Sequence, residues 1–281
     1  MQLRRPDDPV PAFRQGPAIQ ERVGRGNRSR RGPSRGVRTL VTPCLFSPVA
    51  AKTQAFVPRL EPPPMIDFAA ARRMMVDGQV RTSDVTDLRI IAAMLELPRE
   101  RFVPESNADL AYLDLDVPVD KARRLLKPMV LAKMIQAAAV RTSDRVLDVG
   151  CATAYSSAIL ARLAHSVVAL EEDPALARKA DENLKSIGVS NVTVVTGPLT
   201  QGWQGDARYD VVFVNGATEV VPHALCGQLA EGGRLVVVLG RAPLGRAMLY
   251  RAVGGDASGW PIFDAAAPLL PGFAAAQAFV F

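Results

Sequence analysis

The chain has 281 residues, of which 34 are basic and 28 acidic, and it is 48% hydrophobic, enough to bury one large core or two small ones. The charge is uneven: residues 1–64 hold 12 Lys and Arg against 4 Asp and Glu, leaving 22 against 24 for the rest. The high isoelectric point is therefore no sign of a nucleic-acid-binding protein. Cys44, Cys151 and Cys226, odd in number and with no CxxC, speak against a disulfide framework or a zinc site. No apolar run reaches the roughly 18 residues of a membrane span, and a reducing cytoplasm fits best.

Residues 1–64, with RGNRSRRGPSRG and EPPP, show no hydrophobic period and read as a disordered basic leader. Such a leader is a basic tail, an organelle transit peptide, or translated sequence upstream of a true start at Met65. The last reading is favoured. From Met65 the pattern turns helical. Asp67 is placed to cap FAAARRMMVDGQV, and Asp84 or Thr86 to cap DLRIIAAMLEL, whose Ile90, Ile91, Met94, Leu95 and Leu97 form an apolar face ended by Pro98. The stretch PRERFVPESNADLAYLDLDVPV reads as loop-rich, anchored by Phe102, Val103, Tyr112 and Leu113. Residues 65–128 thus make a helical extension and 129–281 the main domain.

Within that domain, an Ala-rich helix at 129–139 precedes a regular alternation. Strands are expected at 145–149, 166–171, 191–196, 209–214 and 234–239. Helices are expected at 155–164, at 174–187 with Gly188 as its C-cap, and around 222–230, with a Gly232–Gly233 turn after it. LYRAV and AAAQAFVF read as two further strands pairing antiparallel at the sheet edge. The fold class is α/β, a Rossmann-like, mostly parallel sheet with an antiparallel edge.

The stretch Arg145–Tyr155, RVLDVGCATAY, carries the chemistry. An apolar strand ends in Asp148, two before Gly150, and three small residues lead into a helix; Gly150, Ala152 and Ala154 let a ligand approach the main chain. About twenty residues on, SVVAL ends in Glu171 and Glu172. Two acidic strand ends separated by one helix describe a nucleotide crevice, with Glu171, or else Glu172, gripping ribose hydroxyls. A dinucleotide fits poorly: Tyr155 stands where its fingerprint needs glycine, and Asp148 would repel a pyrophosphate. The same carboxylate favours a ligand with an ammonium and a sulfonium, so S-adenosylmethionine is the expected cofactor, a turn holding no nucleotide being the alternative.

RERFVP at 99–104, AYLD at 111–114, VLDVGCATAY at 146–155, VVALEEDPALARKADENL at 167–184, NVTVVTGPLTQGW at 191–203, YDVVFVNGA at 209–217 and QLAEGGRLVVVLG at 228–240 occur in the order of protein-L-isoaspartate O-methyltransferases. Together they identify the chain as a resembling member over most of 66–240. The resemblance implies a class I methyltransferase fold whose N-terminal helices help cover a peptide cleft. It also implies methyl transfer from S-adenosylmethionine to the α-carboxylate of L-isoaspartyl residues, which starts protein repair. The implied cofactor residues are Asp148, Gly150, Ala152, Glu171, Glu172, Gly197 and Asn215.

Against that pattern, Ala152 and Ala154 replace glycines, Pro198 replaces an Asp beside the adenine, and Arg124 and Leu126 stand where the family has the Thr and Ser that position the substrate carboxylate. Arg123 or Arg124 could hold a carboxylate instead; otherwise they form a solvated basic turn. These losses motivate two alternatives, a binding or regulatory pseudoenzyme and a methyltransferase with another acceptor. His165 and His223 lack partners at metal spacing, and no metal is expected. Cys151 reads as a small residue tolerated by the turn, Trp203 as packing in a surface loop, and Asn215 with Gly216 as candidates to line the cleft. The expected protein is a monomer, cytoplasmic, without nucleic-acid or membrane partners, acting on isoaspartyl protein or peptide.

Overall fold

The fold begins with a helix that its first side chain nucleates. In the computed structural model, which describes residues 66–205 and 208–276, the Asp67 carboxylate accepts the N–H groups of Ala69 and Ala70 and starts α1 (Phe68–Met75). The chain winds on through a wide turn, Val76–Val80, and a tight one, Arg81–Ser83. Helix α2 (Leu88–Glu96) is capped by Asp87 and not by Asp84 or Thr86. Asp84 is held left-handed at φ 61°, and Thr86 and Asp87 give their N–H groups to the Gln136 side chain, so only Asp87 reaches the helix start.

Ile90, Ile91, Met94 and Leu97 are buried as the apolar face requires, and Leu95 is partly so. Of the four anchors expected next, Phe102, Val103 and Tyr112 are buried, whereas Leu113 is 47% exposed. The Leu110–Leu113 turn that carries Tyr112 inward, towards Arg72 and Glu100, sends its neighbour outward. A small antiparallel pair, β1 (Val117–Pro118) and β2 (Arg124–Leu125), leads into α3 (Pro128–Ala138), with proline at its first position.

The main sheet contains β3 (Arg145–Val149), β4 (Ser166–Glu171), β5 (Val192–Thr196), β6 (Tyr209–Thr218), β7 (Leu229–Leu239), β8 (Arg246–Val253) and β9 (Asp256–Asp264). Their spatial order is β5-β4-β3-β6-β7-β8-β9. The first five are parallel and the last two antiparallel, as the sequence implied. Helix α4 (Tyr155–Ala161) follows β3, and α5 (Pro174–Ser186) follows β4 and ends at Gly188 with φ 70°.

Two expectations fail at the far edge. The helix expected around 222–230 is one turn, α6 (His223–Cys226), because β7 begins at Leu229. The pairing jumps from Tyr209 opposite Leu229 to Val211 opposite Arg234, which makes the Gly232–Gly233 turn a bulge within the strand. LYRAV does lie in β8, but its outer partner is β9, joined through Gly254 and Gly255, both at positive φ. Residues 274–276 belong to no strand; residues 277–281, like the leader 1–64 and Met65, lie outside the described residues.

The N-terminal helices do not stand apart from the sheet. Met75, Ile90, Met94 and Phe102 share one buried cluster with Ile135, Tyr155 and Phe213, and a second cluster on Leu147, Val212 and Leu235 fills the other face. Burial on both faces is why β6 carries the unbroken apolar run 211–214 and why β3 is apolar apart from Arg145 and Asp148.

Candidate functional site

Connections run outward from β3 through β4 to β5, and in the other direction from β6 to β7, so the strand order reverses between β3 and β6. In such sheets the crevice outside the carboxyl ends of these two strands is where ligands bind. Asp148 and Gly150 stand at one lip, Asn215 and Gly216 at the other.

The loop after β3 alternates left-handed residues: Gly150 at φ 78°, Ala152 at 52° and Ala154 at 73°. The alanines thus keep the backbone that glycine would take freely, at about 1 kcal/mol each. Surrounding hydrogen bonds hold it there. Gly150 and Cys151 donate their N–H groups to Leu170 O at 2.8 and 3.1 Å, Ala152 N–H donates to Glu171 Oε2 at 2.7 Å, and Ala154 N–H to Cys151 O at 2.8 Å. The Thr153 hydroxyl donates to Phe102 O and Asn183 Nδ2 to Thr153 O, tying the loop to the N-terminal extension and to α5.

Asp148 is fully buried. Its Oδ2 accepts the hydroxyls of Ser156 and Ser157, each at 2.6 Å, and Ser156 Oγ in turn accepts Asn215 Nδ2 at 2.8 Å. Asp148 Oδ1 and Asn215 Oδ1 are buried acceptors with no hydrogen-bond partner among the described residues. Burial pushes the Asp148 carboxyl up to about 6, against the pull of the two serine hydroxyls.

Glu171 is also buried, and its carboxylate is saturated. Oε1 accepts the N–H groups of Glu172 and Asp173; Oε2 accepts Ala152 N–H and, at 3.0 Å, Arg123 Nη2. Glu172 is exposed, so of the two acids only Glu171 reaches the crevice. Gly197 donates its N–H to Glu171 O at 3.1 Å and lies under Trp203, which is 37% exposed in its loop as expected.

Arg124 and Leu126, the positions that the resemblance singles out for the acceptor, bring no polar side-chain group to the crevice. Arg124 is exposed and donates to Asp116 O at 3.3 Å; Leu126 is in the core, its carbonyl accepting Arg99 Nη2 at 2.7 Å. Arg123 instead turns inward, 6% exposed, with Nη2 shared between Gly150 O and Glu171. A second intruder had no local signal at all. Leu270, 1% exposed, packs over Gly150 and Gly216, held by Ala217 N–H to Pro268 O and Leu270 N–H to Ala217 O at 2.7 and 2.9 Å.

Cys151 is buried and its thiol is pushed well above the ordinary range, chiefly by burial, which removes it as a nucleophile. His165 and His223 are exposed. Among the described residues no cluster of His, Cys, Asp and Glu could hold a metal ion, and no helix is long and apolar enough to cross a membrane.

A family model described as protein-L-isoaspartate(D-aspartate) O-methyltransferase matches residues 71–255. A protein-L-isoaspartate O-methyltransferase of Methanoculleus marisnigri is 39% identical over 169 residues, 60% of this chain and 77% of that one. One from Rhodopseudomonas palustris is 39% identical over 182 residues, 63% of this chain and 74% of its own. A solved protein-L-isoaspartate O-methyltransferase superposes with a TM-score of 0.62 at 26% identity, covering 72% of this chain and 66% of that structure. A Plasmodium falciparum protein described by the same family name, solved with S-adenosyl-L-homocysteine, gives a TM-score of 0.59 at 18% identity over 72% of this chain and 97% of its own, a likeness of fold.

Proposed function

Because the chain belongs to the protein-L-isoaspartate O-methyltransferase family, we propose that it methylates the α-carboxylate of L-isoaspartyl residues in damaged proteins, using S-adenosylmethionine, as a step in their repair. The observation that carries this reading is the pair of buried strand-end acids, Asp148 and Glu171, on either side of a loop that keeps a left-handed backbone with alanines at 152 and 154. Supporting the cofactor are the unpartnered Asp148 Oδ1 and Asn215 Oδ1, acceptors suited to an ammonium. Glu171 would take the ribose hydroxyls, beside the Ala152 N–H. Gly197 would border the adenine, where Pro198 supplies neither acceptor side chain nor N–H.

When bound, adenosylmethionine supplies an electrophilic methyl group. The acceptor carboxylate is already nucleophilic at neutral pH, so the chain's own contribution is proximity and alignment, and no general base is required. The buried Leu126 offers no hydroxyl for that alignment, and losing one hydrogen bond to a charged group costs roughly 1.5–3 kcal/mol, about one to two decades in rate. On this reading residues 65–128 flank the peptide cleft, 129–281 form the transferase domain, and the protein works as a cytoplasmic monomer with no nucleic-acid partner.

The test uses twin peptides differing only in L-isoaspartate against L-aspartate, incubated with the full chain and methyl-labelled adenosylmethionine. Base-labile methyl ester on the isoaspartyl peptide alone is expected. Ester on neither peptide would sink the proposal.

A further inference from the structure

Arg123 is the charged feature of the crevice that the proposed activity does not absorb. It sits at the tip of the β1–β2 hairpin, where Val119 and Asp120 donate their N–H groups to its own carbonyl at 3.0 and 3.2 Å. From there its side chain enters the β3–β4 end and meets the Glu171 carboxylate and the Gly150 carbonyl with a single nitrogen, Nη2. Nε, on the same edge of the guanidinium, is buried with no hydrogen-bond partner among the described residues. A guanidinium edge satisfies a carboxylate best through Nε and Nη2 together, so the pair with Glu171 uses half of what Arg123 can give.

The site of this half-made pair matters as much as its geometry. Glu171 is the acid that a ribose would need, and Arg123 now fills the donor position that ribose hydroxyls would occupy. In the same segment Arg124 points to solvent and the Leu126 side chain lies in the core, so neither can receive a carboxylate in the crevice. Arg99, the other buried arginine nearby, also has one buried unpartnered nitrogen, Nη1, but its Nε and Nη2 are held by the Ala111 and Leu126 carbonyls and it stacks over the Tyr155 ring, away from Glu171. Arg123 alone in this group combines a charge, an unused donor and a short hairpin from which to move.

We propose that Arg123 is a carboxylate clamp with two alternative partners: Glu171 while the ribose site is free, and the acceptor's α-carboxylate once ribose hydroxyls have taken Glu171. This deepens the methyltransferase reading and rests on it. The clamp makes binding ordered, because the nucleoside releases the very group that the acceptor needs. Linkage then requires nucleoside and acceptor to strengthen each other's binding by the same factor.

The test is calorimetric and needs no turnover. S-adenosylhomocysteine is titrated into the full-length protein and into Arg123→Gln and Arg123→Lys, and an isoaspartyl peptide is then titrated into each at saturating S-adenosylhomocysteine. In Arg123→Gln the competitor for Glu171 is gone, so S-adenosylhomocysteine should bind at least five-fold tighter while the peptide binds at least ten-fold more weakly. Arg123→Lys keeps the charge without the fork and provides the folded control should the glutamine variant not fold; its peptide affinity should fall at least five-fold. A merely structural ion pair predicts the reverse for the nucleoside, unchanged or weaker binding in Arg123→Gln, and that result overturns the clamp. If S-adenosylhomocysteine binds neither form, clamp and methyltransferase readings fall together. If it binds parent and Arg123→Gln equally, only the clamp falls.

Discussion

Set against the pattern that the resemblance implies, the two halves of the crevice depart to a similar degree, yet with opposite consequences. In the loop after β3, where the resemblance sets glycines against Ala152 and Ala154, the backbone adopts the left-handed turn. In the segment before α3, where the resemblance sets hydroxyl residues against Arg124 and Leu126, Arg124 faces solvent, Leu126 lies in the core and Arg123 turns into the crevice. A site made of main-chain N–H groups tolerates substitution as long as the turn can absorb about 1 kcal/mol of strain per residue. Where side chains make the site, a substitution leaves different chemistry.

The largest effect expected from breaking this contrast is at the residue both halves share. Glu171→Gln leaves Arg123 buried without its carboxylate, and loss of one partner of a buried pair costs about 3–5 kcal/mol. Urea unfolding should record that loss, and adenosylhomocysteine affinity should drop by roughly 100-fold, the size of a lost charge-assisted hydrogen bond of up to about 3 kcal/mol. A variant as stable as its parent would show that the pair is not the joint between the halves.

Leu126→Ser tests the side-chain half alone. Restoring the hydroxyl to a position that is 1% exposed should cost about 2–5 kcal/mol, as truncation of a core leucine does, and bring no gain in methyl transfer. A faster enzyme would mean that residue 126 does reach the acceptor.

Asp148→Asn sharpens the backbone half through pH. With a folded-state value of about 6 against an ordinary 3.8, Asp148 binds its proton more tightly in the folded chain than in the unfolded one. Its contribution to stability is thus fully present below about pH 4 and is lost as pH rises to about 6. Isosteric Asn should therefore stabilise the ligand-free protein by about 3 kcal/mol at pH 7.5 and by little at pH 4. In the parent, affinity for a ligand ammonium should fall as pH drops below about 6. Thermal scans and titrations across that range check both signs. The smallest effect is at Ala154→Gly, which relieves the left-handed alanine and should add about 0.5–1 kcal/mol while changing ligand affinity less than three-fold. A ten-fold gain in affinity would show that the alanines do distort the loop.

How much of this was legible beforehand follows the same division. The alternation of β3 to β7, an antiparallel edge beginning at LYRAV and the acids at two strand ends are local patterns, and period and strand-end position suffice to read them; β9, with Gly259 and Pro261 inside it, carries no such period. The one-turn α6 was misread because a strand bulge at Gly232 looks, in sequence, like a turn after a longer helix. Asp87 lost out to Asp84 and Thr86 because a side chain fifty residues away, Gln136, fixes the helix entry. Hairpin alternation requires Arg123 and Arg124 to point opposite ways, but only Glu171, 48 residues on, decides which points in. Leu270 closes over Gly150 from 120 residues away, a contact that no local pattern carries.

The most direct test of the account is thermal unfolding of the full chain with and without saturating adenosylmethionine. Ligand at about a hundred times its dissociation constant should add roughly 2.7 kcal/mol, a rise of about 5–10 °C in Tm for a domain of this size. That shift would show that the alanine-bearing loop and Glu171 hold the cofactor once Arg123 gives way. An unchanged Tm would contradict the assignment of the crevice.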